Sequence, residues 1–138
     1  AKLGVNIIYI HPETDSHACR TLQMIRDAGV KSGIAVNPGT SFETVKDLLY
    51  LCDYVMLMSV NPGFAGQKYL DFVTEKFEKF VNEAENYGGY DVMIDGACSP
   101  EKIEMLSKIG VKGFILGTSA LFGKDKSYKE IIDELRGL

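Results

Sequence analysis

The sequence lacks long runs of any kind. Among 138 residues, fifteen Lys plus Arg stand against nineteen Asp plus Glu, for a net charge of −4. No five like charges occur in succession, so the electrostatic footprint of a nucleic-acid or anionic-membrane binder is missing. Any bound anion must therefore be gripped locally. No apolar stretch approaches the roughly 18 residues of a membrane helix, and the N-terminus lacks the basic-then-apolar layout of a signal peptide. A soluble, cytoplasmic chain is expected. Cysteine is scarce: Cys19, Cys52 and Cys98 are odd in number, widely spaced and without a C-x-x-C pair. That argues against a zinc knuckle or redox motif and leaves buried or incidental thiols. No linker or shift of composition divides the chain, and 46% hydrophobic residues suffice for one core, so residues 1–138 are expected to form a single domain.

What is present is a repeat of strand-like run and helical pattern, five times over. The runs are Val5–Ile10, Gly33–Val36, Tyr54–Val60, Tyr90–Ile94 and Gly113–Leu116. They are continuous in Val, Ile, Met and Tyr without alternation, as in parallel strands covered on both faces. Between them Ala18, Leu22, Ile25 and Ala28 share a helical face, as do Val73, Phe77, Phe80, Val81 and Ala84, and Ile103, Leu106 and Ile109. Phe77 and Phe80 read as core. Ser99-Pro100-Glu101 supplies an N-cap, a first-turn proline and an early acid. Ser127 with Glu130 forms a capping box for a last helix carrying Tyr128, Ile131, Ile132 and Leu135.

Five such units allow a doubly wound five-strand sheet or part of a (β/α)8 TIM barrel. At 138 residues for five units, each takes roughly 28, and eight would take about 220, the size of a small complete barrel. The chain would then be about five-eighths of a barrel. The start at Ala1, without Met and almost directly on a strand, fits a fragment or processed product.

Each run ends in a polar or glycine residue: His11, Asn37, Ser59 through Asn61, Asp95, and Gly117-Thr118. In parallel α/β folds the ligand site forms at the carboxyl ends of the strands, so these positions are expected to share one mouth. Asp95 is the sharpest, a carboxylate surfacing from Val92-Met93-Ile94 and followed by Gly96. It could serve as an acid/base or a metal ligand, or simply cap the next turn. The glycine-containing turns Gly96-Ala97-Cys98-Ser99 and Gly117-Thr118-Ser119 are expected to lead into helical segments, and their small residues let backbone N–H groups approach a phosphate. The loop Asn61-Pro62-Gly63-Phe64-Ala65-Gly66-Gln67-Lys68 is longer than an ordinary βα connection and could fold over a ligand as a lid.

Several motifs, taken together, resemble a known family. They are His11-Pro12-Glu13, His17 with Arg20-Thr21-Leu22, Asn37-Pro38, Met58 through Gln67, Ile94-Asp95-Gly96, and Gly117 through Phe122. In this order they closely resemble the ribulose-phosphate 3-epimerases, a family that includes D-allulose-6-phosphate 3-epimerases. The resemblance implies a (β/α)8 barrel of which this chain is units four to eight, the C-terminal portion. It implies that Asp95 is a catalytic aspartate that binds a divalent metal and moves a proton. It further implies that Met58 lines the site, that Gly63, Phe64, Ala65 and Gly66 cover the substrate, and that Gly96, Ala97, Gly117 and Thr118 cradle its phosphate. Ala97 stands where many members carry Gly, and Thr118 where many carry Ser.

The activity so implied is epimerisation at carbon 3 of a ketose phosphate through an enediolate. It would interconvert D-ribulose 5-phosphate with D-xylulose 5-phosphate, or D-allulose 6-phosphate with D-fructose 6-phosphate. The complete protein would use one divalent ion (Zn, Fe, Mn or Co) and a phosphorylated ketose, and would associate with copies of itself. The family's first three units supply a serine, a His-x-Asp and a histidine that nothing here matches. These 138 residues alone are therefore expected to be inactive.

Two other classes stand beside this reading. Another phosphate-binding barrel lyase would want a strand-end lysine, whereas Lys31 and Lys112 precede strands. A non-catalytic phosphate-binding or signalling module of five strands would want an acidic cluster after its first strand and a lysine closing its last. The chain has His11-Pro12-Glu13 and Gly117-Thr118 there.

Overall fold

The computed structural model describes residues 1–138. Five short strands form it: β1 (Ile7–Ile10), β2 (Lys31–Val36), β3 (Tyr54–Met58), β4 (Asp91–Asp95) and β5 (Gly113–Phe114). All neighbours pair in parallel and the spatial order is β1-β2-β3-β4-β5. That order decides between the two architectures. A doubly wound sheet reverses its strand order at a switch point, whereas here each strand lies beside its predecessor, as in a barrel. The sheet is thus a partial (β/α) barrel. Four strands are shorter than their apolar runs or shifted by a residue, and Lys31 opens β2 instead of preceding it.

Helices α1 (Ala18–Asp27), α3 (Val73–Glu83), α4 (Pro100–Ile109) and α5 (Tyr128–Leu135) occupy the expected crossovers. Ser99 caps α4 by accepting from the Lys102 N–H, and Ser127 with Glu130 forms the capping box at α5. The connection after β2 is also helical, with a four-residue α2 (Phe42–Val45) running into a 3-10 turn over Lys46–Leu51. No helix is long and apolar enough to cross a membrane.

The two faces of the sheet carry different chemistry, although both are apolar. Alternate residues Ile34, Val36, Val55, Leu57, Val92 and Ile94 face the helices and join Leu22, Leu49, Phe77, Phe80, Leu106 and others in a core of 20 buried residues. The opposite, concave face carries Ala35, Met56 and Met58, with Tyr9 and Met93 packed on them. Tyr9 of β1 reaches across this face, and its hydroxyl donates to the Met93 sulfur of β4 at 2.8 Å. Two strands lie between them, so the contact shows how strongly the sheet curves. Gly33 makes room for the ring: a Cβ there would sit 2.6 Å from Tyr9 Cδ1.

Candidate active site

Because side chains alternate along a strand, His11, Asn37, Met58, Asp95 and Gly117 share the concave side at its carboxyl end. Register sets their levels. Val36 pairs with Leu57 and Met58 with Asp95, so Asn37, Met58 and Asp95 form one rung. Beyond it lies a cavity of about 350 Å³, within the range of small-molecule sites. It is lined by Met58, by Gly63, Phe64, Ala65 and Gly66 of the long loop, by Asp95, Gly96 and Ala97 after β4, and by Gly117 and Thr118 after β5. All ten residues singled out from the sequence thus meet there, with Asp95 and Gly117 at the same end of the strands. A larger groove of about 550 Å³ runs between the start of α1 and the α2 segment and contains none of the ten.

The turn after β4 is tightly built. Gly96 has φ +109°, and a Cβ there would meet Val60 Cγ2 at 2.7 Å and Ser59 Oγ at 2.9 Å. Ala97 takes the left-handed region at φ +45°, the one non-glycine residue of the chain at positive φ. Such strain persists where surrounding structure enforces it, and it gathers at binding sites. Buried Ser59 is the enforcer. Its N–H donates to the Asp95 carbonyl at 3.0 Å and its hydroxyl to the Gly96 carbonyl at 2.5 Å. Sequence reading placed Ser59 at a strand end but gave it no such task.

The turn after β5 is open by contrast. A Cβ on Gly117 would meet nothing within 4 Å. The Gly117 carbonyl accepts from the N–H groups of Ala120, Leu121 and Phe122, closing a single helical turn. This turn does not lead directly into a helix as the sequence suggested, since α5 begins only at Tyr128. Gly123-Lys124-Asp125-Lys126-Ser127 fill the interval between that turn and α5.

Both turns leave donors free. The backbone N–H groups of Gly96, Ala97, Cys98, Gly117, Thr118 and Ser119 donate to no other backbone group. All six residues line the cavity, and N–H groups not used by other backbone can take the oxygens of an anion. The side chains add one carboxylate, Asp95. Burial, with the Asp95 charge second, pushes the Cys98 thiol up to about 12, so it stays protonated and is no nucleophile at neutral pH. Cys52 is likewise buried and pushed up to about 12, while Cys19 is exposed.

The long loop is braced from within. Gln67 Nε2 donates to the Asn61 carbonyl at 2.6 Å and to the Phe64 carbonyl at 3.0 Å, and Phe64 is 74% exposed at its tip. No group of three or more His, Cys, Asp or Glu side chains comes together in the chain. These residues by themselves therefore do not make a metal centre, and Asp95 stands as a single donor.

Sequentially ordered parallel strands with an anion-ready mouth at their carboxyl ends define a sheet of the β/α-barrel class. Within that class the chain belongs to the Ribulose-phosphate 3 epimerase family, whose sequence profile matches residues 1–122. It is 35% identical over 139 residues to the ribulose-phosphate 3-epimerase of Bacillus subtilis (strain 168), covering 99% of this chain and 63% of that protein. Against the enzyme of the same name from Escherichia coli (strain K12) it is 36% identical over 138 residues, covering 99% and 60%. Against that of Aquifex aeolicus (strain VF5) it is 37% identical over 123 residues, covering 88% and 55%. The chain thus spans 55% to 63% of the length of these relatives.

Proposed function

We propose that this chain carries the phosphate grip, the lid and one acid/base carboxylate of an enzyme that epimerises carbon 3 of a ketose phosphate. The substrate pair is D-ribulose 5-phosphate and D-xylulose 5-phosphate. The observation that carries the reading is the one cavity lined both by Asp95 and by six residues whose backbone N–H groups donate to no other backbone group.

Epimerisation removes the proton on carbon 3, alpha to the ketone, from one face and returns one to the other. The backbone donors of Gly96, Ala97, Gly117 and Thr118 hold the phosphate and so fix how far carbon 3 lies from Asp95. Asp95 takes or gives the proton on its face. The Gly63–Gly66 segment covers the sugar and keeps water from the enediolate. The group on the opposite face is not among these residues. In a complete barrel Asp95 would also be one ligand of a divalent ion, the other donors coming from outside this chain, and the ion would offset the negative charge that develops on the substrate oxygens.

Binding and turnover test the reading together. Titrating the chain with inorganic phosphate, D-ribulose 5-phosphate, D-allulose 6-phosphate and unphosphorylated D-ribulose should show binding only for the phosphorylated compounds. Amide shifts should concentrate at residues 96–98 and 117–119. A chain that binds D-ribulose as well as its phosphate has no phosphate grip, and the reading fails. The isolated chain should not exchange the carbon 3 proton for deuterium. Exchange by the purified chain that disappears in Asp95→Asn would show that these residues suffice for catalysis.

A further inference from the structure

Two buried side-chain polar atoms in the chain have no hydrogen-bond partner, His11 Nδ1 and Asn37 Oδ1. Both belong to strand-end residues on the concave side. An unpaired buried acceptor costs free energy comparable to a lost hydrogen bond, so each needs a reason. His11 Nδ1 has a neighbour of opposite character, Glu13 Oε2 at 3.8 Å. Asn37 Oδ1 has none.

The backbone of Asn37 is in the opposite condition, held from both sides by charge. Its N–H donates to Glu13 Oε1 at 2.8 Å, and Glu13 Oε1 also accepts from the Thr40 hydroxyl at 2.7 Å. On the other side Lys76 Nζ, from α3, donates to the carbonyls of Asn37 at 3.1 Å, Pro38 at 2.5 Å and Thr40 at 2.7 Å. Burial works against the Glu13 carboxylate, but the bonds from Asn37 and Thr40 outweigh it and hold its pKa below the ordinary value. Charge-assisted bonds are the stronger kind, and two of them meet on this one residue. Asn37 does not line the cavity itself, but a backbone so fixed, carrying a side-chain acceptor without a partner, can serve as a preorganised ligand contact at its edge.

Its place in the rung gives the ligand group. Asn37, Met58 and Asp95 are level on adjacent strands, so the Asn37 and Asp95 Cα atoms are about 10 Å apart along the sheet, closing inward on the concave side. The anion-ready turns lie beyond Asp95, on the β4 and β5 side. A sugar phosphate gripped there runs past Asp95 and over Met58 toward β2, and its far end carries hydroxyls.

We propose that Asn37 is a further substrate-contacting residue, its side-chain amide meeting a hydroxyl at the end of the sugar remote from the phosphate, with Glu13 and Lys76 as positioning residues. This rests on the sugar-phosphate reading above. Asn37 is only partly buried, and its terminal amide turns about a soft torsion, so either its oxygen or its NH2 can be offered to a hydroxyl.

The test compares two ligands on the 138-residue chain by calorimetry or amide shifts, D-ribulose 5-phosphate and inorganic phosphate. Asn37→Ala removes an acceptor that bonds to nothing, so its Tm should match that of the unaltered chain. Its affinity for the sugar phosphate should fall about tenfold with inorganic phosphate unchanged. Asn37→Ser is the second variant and should do the same. Glu13→Ala should likewise weaken only the sugar phosphate, and Glu13→Gln, which keeps an acceptor oxygen for both donors, should restore most of the loss. Unchanged affinity for both ligands in the Asn37 variants overturns the assignment and leaves the sugar-phosphate reading standing. A parallel loss of both ligands shows a structural role and also overturns it. Failure of the unaltered chain to bind either ligand overturns the sugar-phosphate reading, and this inference with it.

Discussion

The two anion-ready turns differ more than their sequences suggest. Gly96-Ala97 is wedged against Ser59 and Val60 with two consecutive residues at positive φ, whereas Gly117-Thr118 has open space around it. Both leave N–H groups that no other backbone group uses, so the same donors are presented by one rigid wall and one open one. A glycine can thus matter for two reasons: at Gly96 because the protein leaves no room for a side chain, and at Gly117, on the proposed function, because a phosphate would need the space.

That comparison breaks most sharply at Gly96→Ala. Its methyl group collides with Val60 and Ser59 and its φ is unfavourable, so the variant should lose about 3 kcal/mol of stability in urea unfolding, with phosphate binding lost in parallel. Gly117→Ala should fold with an unaltered urea midpoint, yet bind inorganic phosphate about tenfold more weakly, ~1.4 kcal/mol, because its methyl group occupies ligand space. Equal effects on stability at the two positions would erase the distinction. Ala97→Gly sharpens it from the other side. Relieving the left-handed alanine should raise stability by about 1 kcal/mol.

The last effect is confined to alkaline solution and vanishes at neutral pH. Burial raises the Cys98 pKa from 9.0 to about 12, favouring the neutral thiol in the folded state. The stability this contributes is complete below pH 9 and is lost as pH rises toward 12. Cys98→Ala should therefore show a shallower decline of stability over that window, read by unfolding at stepped pH. A reagent for thiols at neutral pH should label Cys19 and spare Cys98.

Much of this was open to sequence reading because its signals are local. Continuous apolar runs announced five parallel strands, and strand-end residues announced the mouth, since each depends only on neighbours in the chain. The segment from Phe42 to Leu51 escaped notice because a four-residue helix passing into a 3-10 turn is too short for a helical period to stand out. Its Phe42, Val45 and Leu49 are fixed by the core they enter. The clamp on Asn37 was invisible for a different reason. Glu13 lies 24 residues before it and Lys76 39 after, and nothing but the folded sheet and α3 brings them together. Helix starts after β4 and α5's capping box were legible, while the late start of α5 after β5 was not.

The division of the sheet into an aliphatic side and a sulfur-rich side has an adaptive consequence. Tyr9, Met56, Met58 and Met93 contact the helix-facing core only through the strands themselves. Thioethers are pliant and accept new neighbours in many rotamers. Mutational drift on that inner lining can therefore reshape the concave face, with Met58 at the edge of the cavity, while the scaffold beneath it is left alone, separating change at that face from foldability.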